Sequence, residues 1–263
     1  MSQDDEYLQL LLKAIQTSAN YRPKFGQGRK GGWTLDQFTQ VYSADPFYSW
    51  FGLDMPIVYA AHRAAGGLTS VYRQIGIGCQ WVLNRALRDS LGLSETDANW
   101  SYSVPKINGK EQRLSLDGRI VFDAVNAARK PIVDEWLNAA ASALKVERAA
   151  IHNGAVFEVR QGYKSKDSKR QNADLANAAN AYAYQYLPVV ILLSDQIDSD
   201  VAQRYIGARW LVLRGTLSGI PLTSTYVFYR DVIGYDLAGF FSRNSPAIKK
   251  EIGLVVEKLL SRE

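Results

Sequence analysis

Cysteine and histidine are scarce in this sequence. The 263 residues include one cysteine, Cys79, and two histidines, His62 and His152. A single cysteine excludes an intrachain disulfide bond and a zinc site built from several cysteines, and chains without disulfides are typical of reducing compartments. The histidines stand alone rather than at a metal-binding spacing, so we predict that both are structural.

The sequence also lacks recognisable targeting, membrane-spanning and nucleotide-binding segments. Its first residues, MSQDDEYLQ, are acidic and polar, unlike a signal peptide, and its apolar runs are far shorter than the roughly 20 residues that span a bilayer. The glycines at 66–67 and 76–78 fall within a helical pattern, and no Walker-type phosphate-binding motif is present. We therefore expect a cytoplasmic protein with no membrane association.

The overall composition is that of an ordinary globular protein. Hydrophobic residues make up 47% of the chain and charged residues 22%. Lys and Arg outnumber Asp and Glu by 31 to 26, giving a net charge of +5, which permits a polyanionic partner without requiring one. No composition change marks a domain boundary, so we predict a single domain over 1–263, with a mainly helical part (1–99), a core (100–215) and a C-terminal part (216–263).

The centre of the chain has the pattern of a β-α-β unit. Residues Ala155–Arg160 are mostly apolar without clean alternation, which predicts a strand buried on both sides. An alanine-rich helix is predicted from Lys169 to Tyr186, because Pro188 disfavours helix at the preceding residue. The β-branched run Val189–Leu193 then predicts an interior strand. Strand, crossover helix and strand imply a parallel pair at the centre of a sheet.

The elements around this unit are predicted as follows. Residues 102–107 and 112–116 flank Asn108-Gly109, a strong hairpin signal. The order of the remaining elements is predicted to be helix 4–19, a helix capped by Thr34, two helices over 56–91 separated at Gly66-Gly67, strand 119–123, helix 130–146, strands 208–214 and 224–229, and helix 246–260.

Two segments of the N-terminal part indicate how this part packs. The glycines at 76 and 78, followed by Cys79, leave little bulk on the second helix and predict close packing of that helix on the sheet. The segment Asp45–Met55 (DPFYSWFGLDM) is dense in aromatic residues. It is interpreted either as part of the core or as a contact between subunits.

Glu158 and Arg160 are the most informative charged residues. They lie two residues apart on the predicted strand and therefore point to the same face. Burying an acidic and a basic side chain on a strand costs free energy unless the two are paired or take part in a functional site. The strand is followed by a run of cations, which suggests a carboxylate that holds a hard metal ion beside residues that meet phosphates; these are Lys164, Lys166, Lys169 and Arg170, with Asn172 on the helix behind them.

A second cationic segment lies near the N-terminus. Residues Asn20–Trp33 contain four glycines and four cations, among them Arg29 and Lys30. One interpretation is a solvated loop. The other is an arm that becomes ordered on a nucleic-acid backbone.

Part of the chain resembles a known enzyme family. The order hairpin with an acid, strand with Glu-x-basic, helix and strand, together with the stretch FEVRQGYKSKDSKRQNADL and the upstream LDGRI, resembles the PD-(D/E)XK nuclease core of type II restriction endonucleases. The resemblance covers Leu114 to about Gly215. It implies an α/β fold with a central mixed sheet flanked by helices, beside a mainly helical N-terminal part.

The resemblance also implies site residues. In this family two acids hold Mg²⁺ and a lysine two residues after the second acid assists the attacking water. Glu158 matches the second acid. For the first acid both Asp117 and Asp123 remain open. Arg160 stands where the family has lysine, and since arginine stays protonated, either Arg160 serves as a fixed cation or Lys164 takes the lysine's place.

The function implied by the resemblance is Mg²⁺-dependent, sequence-specific cleavage of double-stranded DNA. A homodimer is expected, because two strands of a symmetric site require two active sites, and a methyltransferase acting on the same site is expected from the family alone. A repair or recombination nuclease of the same fold and a non-catalytic DNA-binding protein are the alternatives.

Overall fold

A computed structural model describes residues 2–25, 31–105, 111–162 and 177–261. The chain groups into two compact units, one formed by Met1–Val82 with Ser242–Glu263 and the other by Leu83–Phe241. The described residues form a mixed α/β structure with a helical N-terminal part. Across these ranges, no helix is both long enough and apolar enough to span a bilayer.

Local capping boxes set the starts of the first two helices of the first unit. Ser2 and Asp5 form a capping box at the first helix, and Thr34 and Gln37 form another at the second. The predicted cap at Thr34 is confirmed. The helices are α1 (Gln3–Gln16), α2 (Leu35–Ser43), α3 (Pro46–Trp50) and the first part of α4 (Pro56–Leu91).

Helix α4 is continuous, so the predicted break at Gly66-Gly67 is wrong. These glycines instead make room for neighbours. A Cβ at Gly66 would lie 2.1 Å from the Tyr21 hydroxyl, and one at Gly67 would lie 2.6 Å from Leu259. Tertiary contact therefore outweighs the roughly 1 kcal/mol cost of a glycine within a helix.

The predicted packing of Gly78 on the sheet is also wrong. A Cβ at this position would meet Leu11 at 2.9 Å and Ala14 at 3.1 Å, both in helix α1. The small residue thus permits two helices to approach closely within the first unit. The sequence correctly indicated close packing, but not the partner.

The described residues of the second unit form two sheets. Strands β1 (Trp100–Pro105) and β2 (Glu111–Leu116) pair antiparallel, as predicted, although their turn lies outside the described residues. Strands β3 (Gly118–Val121), β4 (Gly154–Arg160), β5 (Tyr186–Leu192) and β6 (Leu211–Leu213) form a second sheet in the order β3-β4-β5-β6. Strand β3 is antiparallel to β4, whereas β4, β5 and β6 are parallel.

The predicted parallel pair lies at the centre of this sheet. Gly154 to Val159 are buried throughout β4, and every residue of β5 is buried, which explains why neither strand alternates in sequence. Pro188 fits within β5 because the ladder to β6 covers only Val189 to Ile191, so the missing N–H interrupts no pairing on that side.

Helices flank the sheet. Helix α7 covers residues 177–183, and the chain then turns through Gln185, whose φ is 58°. The predicted helix end at Tyr186 is therefore wrong by a few residues, since Tyr186 already belongs to β5. The other helices of this unit are α5 (Glu95–Ala98), α6 (Lys130–Leu144), α8 (Ser199–Gly207) and α9 (Thr225–Phe228).

Two predictions for the C-terminal part are corrected. The predicted strand 224–229 is wrong, because Thr225–Phe228 form helix α9; Ser224 caps this helix, and the ring of Phe228 lies 4.7 Å from that of Trp136. The last helix, α10 (Leu237–Leu260), begins well before Pro246. Its first turn is capped by Asp236, whose carboxylate accepts a hydrogen bond from the Gly239 N–H at 2.9 Å.

Candidate active site

Asp117 lies at the turn between β2 and β3, beside the middle of β4. Its backbone N–H donates to the Phe157 carbonyl at 2.8 Å, and its Oδ2 accepts from the Val159 N–H at 2.8 Å. Asn84 of helix α4 donates to the Asp117 carbonyl at 3.4 Å. These bonds hold both the backbone and the carboxylate of Asp117 against strand β4.

Hydrogen bonds on either side of Glu158 bring Asp117 to β4. The regular antiparallel ladder between β3 and β4 ends at the pair Gly118–Phe157. Asp117 continues the contact irregularly, since its N–H binds the Phe157 carbonyl and its carboxylate binds the Val159 N–H. The two acids named from the sequence therefore lie on neighbouring segments at the same end of β3.

Glu158 is buried and paired. Its side chain is 8% exposed, and its Oε1 forms an ion pair with Nη1 of Arg160, whose side chain is 13% exposed. The predicted common face of these two residues is confirmed. A buried carboxylate without a partner would cost several kcal/mol, so Arg160 compensates the charge that β4 carries into the interior.

Asp123 lies elsewhere. It falls in a short 3₁₀ turn, Phe122–Ala124, at the opposite end of β3 from Asp117, and its exposed carboxylate pairs with Lys130 at 3.3 Å. The predicted strand 119–123 thus ends at Val121. Of the two candidates for the first acid, only Asp117 is brought beside Glu158.

The residues that the sequence predicts as phosphate or DNA contacts lie outside the described part of the chain. These are Lys164, Lys166, Lys169, Arg170, Asn172, Arg29 and Lys30. The first five follow β4 directly in sequence, since Arg160 is its last residue. Their roles stay predictions from the sequence.

The carboxyl end of the sheet carries a second charged pair that sequence reasoning missed. The Asp195 carboxylate, after β5, binds Nε of Arg214, after β6, at 2.7 Å. The Gln161 carbonyl accepts a hydrogen bond from the Ser194 N–H at 2.7 Å, which joins the ends of β4 and β5. Since parallel strands end at the same edge of a sheet, these charges lie along the edge at which Arg160 ends β4. That these charges lie at one edge follows from the parallel order of the strands, which the local sequence around Asp195 and Arg214 does not indicate.

Tyr102 is another residue that the sequence did not single out. Its hydroxyl donates to Oδ1 of Asn177 and accepts from Nδ2 of Asn180 at 3.4 Å, both on helix α7. Burial raises the pKa of this phenol, so it remains a donor at neutral pH. The contact fixes α7 on the hairpin β1–β2, directly after the residues that the structure does not describe.

The donor set suits a hard cation. Asp117 and Glu158 offer carboxylate oxygens, which Mg²⁺ prefers, and Mg²⁺ commonly uses one or two carboxylates while retaining water ligands. Within the described ranges, no cluster of three or more His, Cys, Asp or Glu residues has a metal-binding arrangement. A metal ion bound here would have the carboxylates of Asp117 and Glu158 as its protein ligands. The Glu158 carboxylate would then contact both the metal ion and Arg160.

No protein family, curated protein or solved structure gives a significant match to this chain. The interpretation of the site therefore rests on the arrangement of Asp117, Glu158 and Arg160.

Proposed function

We propose that the protein is a type II restriction endonuclease that hydrolyses phosphodiester bonds in double-stranded DNA at a specific sequence, with Mg²⁺ as cofactor. The observation that carries this proposal is the hydrogen bond from the Val159 N–H to the Asp117 carboxylate, which holds this acid beside Glu158 of β4. In this proposal the sheet β3-β4-β5-β6 is the core of a PD-(D/E)XK nuclease, and its products carry 5′-phosphate and 3′-hydroxyl ends.

The two acids would hold the metal, and the cations would hold the DNA. Bound Mg²⁺ supplies a water of lowered pKa and stabilises charge on the scissile phosphate. Asp117 is kept in place by the Val159 N–H and Glu158 by Arg160. Arg160 is permanently protonated, so it orients Glu158 and offers positive charge but accepts no proton. Lys164 is the proposed partner of the attacking water.

Affinity for DNA would come from cations that contact phosphates. The proposed contacts are Lys164, Lys166, Lys169, Arg170, Arg29 and Lys30, with Asn172 as a polar contact. Two active sites in a homodimer would cut the two strands. The protein itself would act in the cytoplasm. A methyltransferase acting on the same DNA sequence would protect the host, as the family resemblance implies.

A non-catalytic DNA-binding protein is the second candidate, and the Glu158–Arg160 pair favours it. Arginine stands at the family's lysine position, and its guanidinium engages the carboxylate that would bind the metal. If Arg160 is never displaced from Glu158, the protein would bind DNA without cutting it.

Incubation of the purified protein with phage DNA and Mg²⁺ tests the proposal. Discrete fragments are expected, with no cleavage when EDTA replaces Mg²⁺. Glu158→Gln serves as the inactive variant, and Asp123→Asn, which changes an exposed acid at the other end of β3, serves as the matched control. A smear of fragments would point to a structure-dependent repair nuclease. Retained DNA binding with no cleavage at any metal concentration would favour the non-catalytic binder.

A further inference from the structure

The aromatic segment of the first unit lies on the surface. Trp50 is 82% exposed, and Phe47, Phe51 and Met55 are each about half exposed or more. The rings of Phe47 and Phe51 lie 5.0 Å apart and form one exposed cluster. The interpretation of this segment as core is therefore wrong. We call the exposed residues Phe47, Trp50, Phe51 and Met55 the α3 cluster.

The adjoining helix continues this surface. Along the first half of α4, the exposed residues Ile57, Ala61, Ala65, Leu68 and Tyr72 recur at intervals of four, four, three and four. Apolar residues at such intervals form a stripe along one side of a helix. We call these five residues the α4 stripe. The stripe begins at Ile57, two residues after Met55 of the α3 cluster, and Ala61 and Ala65 are small enough for another helix to approach closely.

The surface is almost uncharged. From Pro46 to Tyr72 the charged residues are Asp54 and Arg63. The Asp54 carboxylate accepts a hydrogen bond from Ser43 at 2.8 Å, and Arg63 is 9% exposed and donates to the carbonyls of Lys258 and Ser261. Depletion of charge with enrichment of aromatic residues and methionine is the composition of the core of a protein interface.

The area is that of a dimer contact. A whole aromatic side chain offers about 150–250 Å², so the exposed fractions of the aromatic residues, together with Met55, Ile57 and Leu68, amount to roughly 800 Å² of apolar surface. This exceeds the largest patch of a typical monomer, about 300–600 Å², and equals what one partner contributes to a standard interface, about 800 Å².

We propose that the α3 cluster and the α4 stripe form the contact between two copies of this chain. A second copy carries the same stripe, and an isologous contact pairs a surface with itself. A lipid surface fits less well because the segment Pro46–Tyr72 contains no lysine and its one arginine, Arg63, is 9% exposed, whereas a membrane-bound apolar face is normally rich in lysine and arginine. A nucleic acid fits less well because stacking aromatics normally lie in a positively charged groove. The contact names the surface of the homodimer on which the proposed function rests, and its test measures association without any cleavage.

Sedimentation equilibrium of the full chain, without DNA or metal, tests the contact. The wild type should dimerise, and Ile57→Glu should weaken association by at least about 30-fold, as loss of an interface hot spot does. Leu217→Glu is the matched control, because Leu217 is 72% exposed in the second unit and Ile57 is 71% exposed. Thermal unfolding checks that the variants fold.

A cross-linking experiment provides a second measurement. Residue 65 lies near the middle of the α4 stripe, so Ala65→Cys should form a disulfide with its own copy under mild oxidation whether the two helices run parallel or antiparallel. Leu217→Cys should not. A monomeric wild type, equal weakening by Ile57→Glu and Leu217→Glu, or equal cross-linking at both positions would overturn the contact. So would a monomer that binds phosphatidylcholine vesicles through Trp50.

Discussion

The Asp117 carboxylate accepts a hydrogen bond at 2.8 Å from the backbone N–H of Val159, the residue directly after Glu158. The bond joins the residue before β3 to β4 and fixes one acid of the candidate site against the strand that carries the other. Asp117→Asn replaces a carboxylate oxygen by an amide. We expect this variant to lose Mg²⁺-dependent cleavage while keeping its secondary structure. Cleavage assays and far-ultraviolet circular dichroism measure the two effects.

Glu158→Gln should abolish cleavage and leave DNA binding in Ca²⁺ buffer within several-fold of the wild type. The reason is that a neutral amide removes the negative charge that attracts a hard metal ion, whereas the predicted DNA contacts lie elsewhere. Gel-shift titration gives the affinity. Cleavage by Glu158→Gln at a rate close to that of the wild type would remove this residue from the metal site.

Arg160→Gln should lower the free energy of unfolding by about 3 kcal/mol, because it leaves the buried Glu158 carboxylate without its cation. Urea denaturation measures this loss. The double variant Glu158→Gln with Arg160→Gln should be less destabilised than the sum of the single variants by at least about 1 kcal/mol. Strict additivity would show that the two side chains are not energetically coupled.

Lys164→Ala and Arg160→Ala separate the two possible replacements of the family lysine. A residue that assists the attacking water typically contributes about 10²–10⁴ in rate, whereas a phosphate contact weakens binding and lowers its salt dependence by about one unit of slope. Lys164→Ala should therefore lose single-turnover rate with little loss of affinity. A wild-type rate in Lys164→Ala beside an inactive Arg160→Ala would assign the lysine's place to Arg160.

Gly154→Ala should destabilise the protein by at least about 2 kcal/mol. Gly154 begins β4 with φ near 123°, and a Cβ there would lie 2.1 Å from the Ile120 carbonyl oxygen, so strand β3 would have to shift. Gly207→Ala is the control, since a Cβ there meets nothing within 4 Å and alanine favours helix. The melting temperature should fall for the first variant and hold or rise for the second.

Cys79 should react slowly with thiol reagents in the native protein. The residue is 4% exposed, and burial raises the pKa of its thiol to about 12, so little of the reactive thiolate is present at neutral pH. Labelling by a chromogenic disulfide reagent should be slow in buffer and fast in denaturant. Equal rates would mean that α4 opens readily around this residue. Because there is one cysteine in the chain, the signal has one source.

Features that depend on neighbouring residues follow from the sequence without the folded structure. The β-α-β unit, the hairpin strands and the cap at Thr34 follow from periodicity and turn chemistry, which act over a few residues. Glu158 and Arg160 share a face because they lie two apart on a strand, and their burial follows from the apolar residues around them. These local rules also identified Glu158 as the acid most in need of a partner.

Features that depend on distant residues follow only from the folded chain. Asp117 rather than Asp123 lies beside Glu158 because Asp117 precedes β3, at the end where its carboxylate reaches the Val159 N–H, whereas Asp123 follows β3. Helix α4 runs through Gly66-Gly67 because Tyr21 and Leu259 fill the space beside them. The aromatic residues near Trp50 look like core in sequence, and only folding showed them on the surface, because burial depends on which distant elements cover a segment.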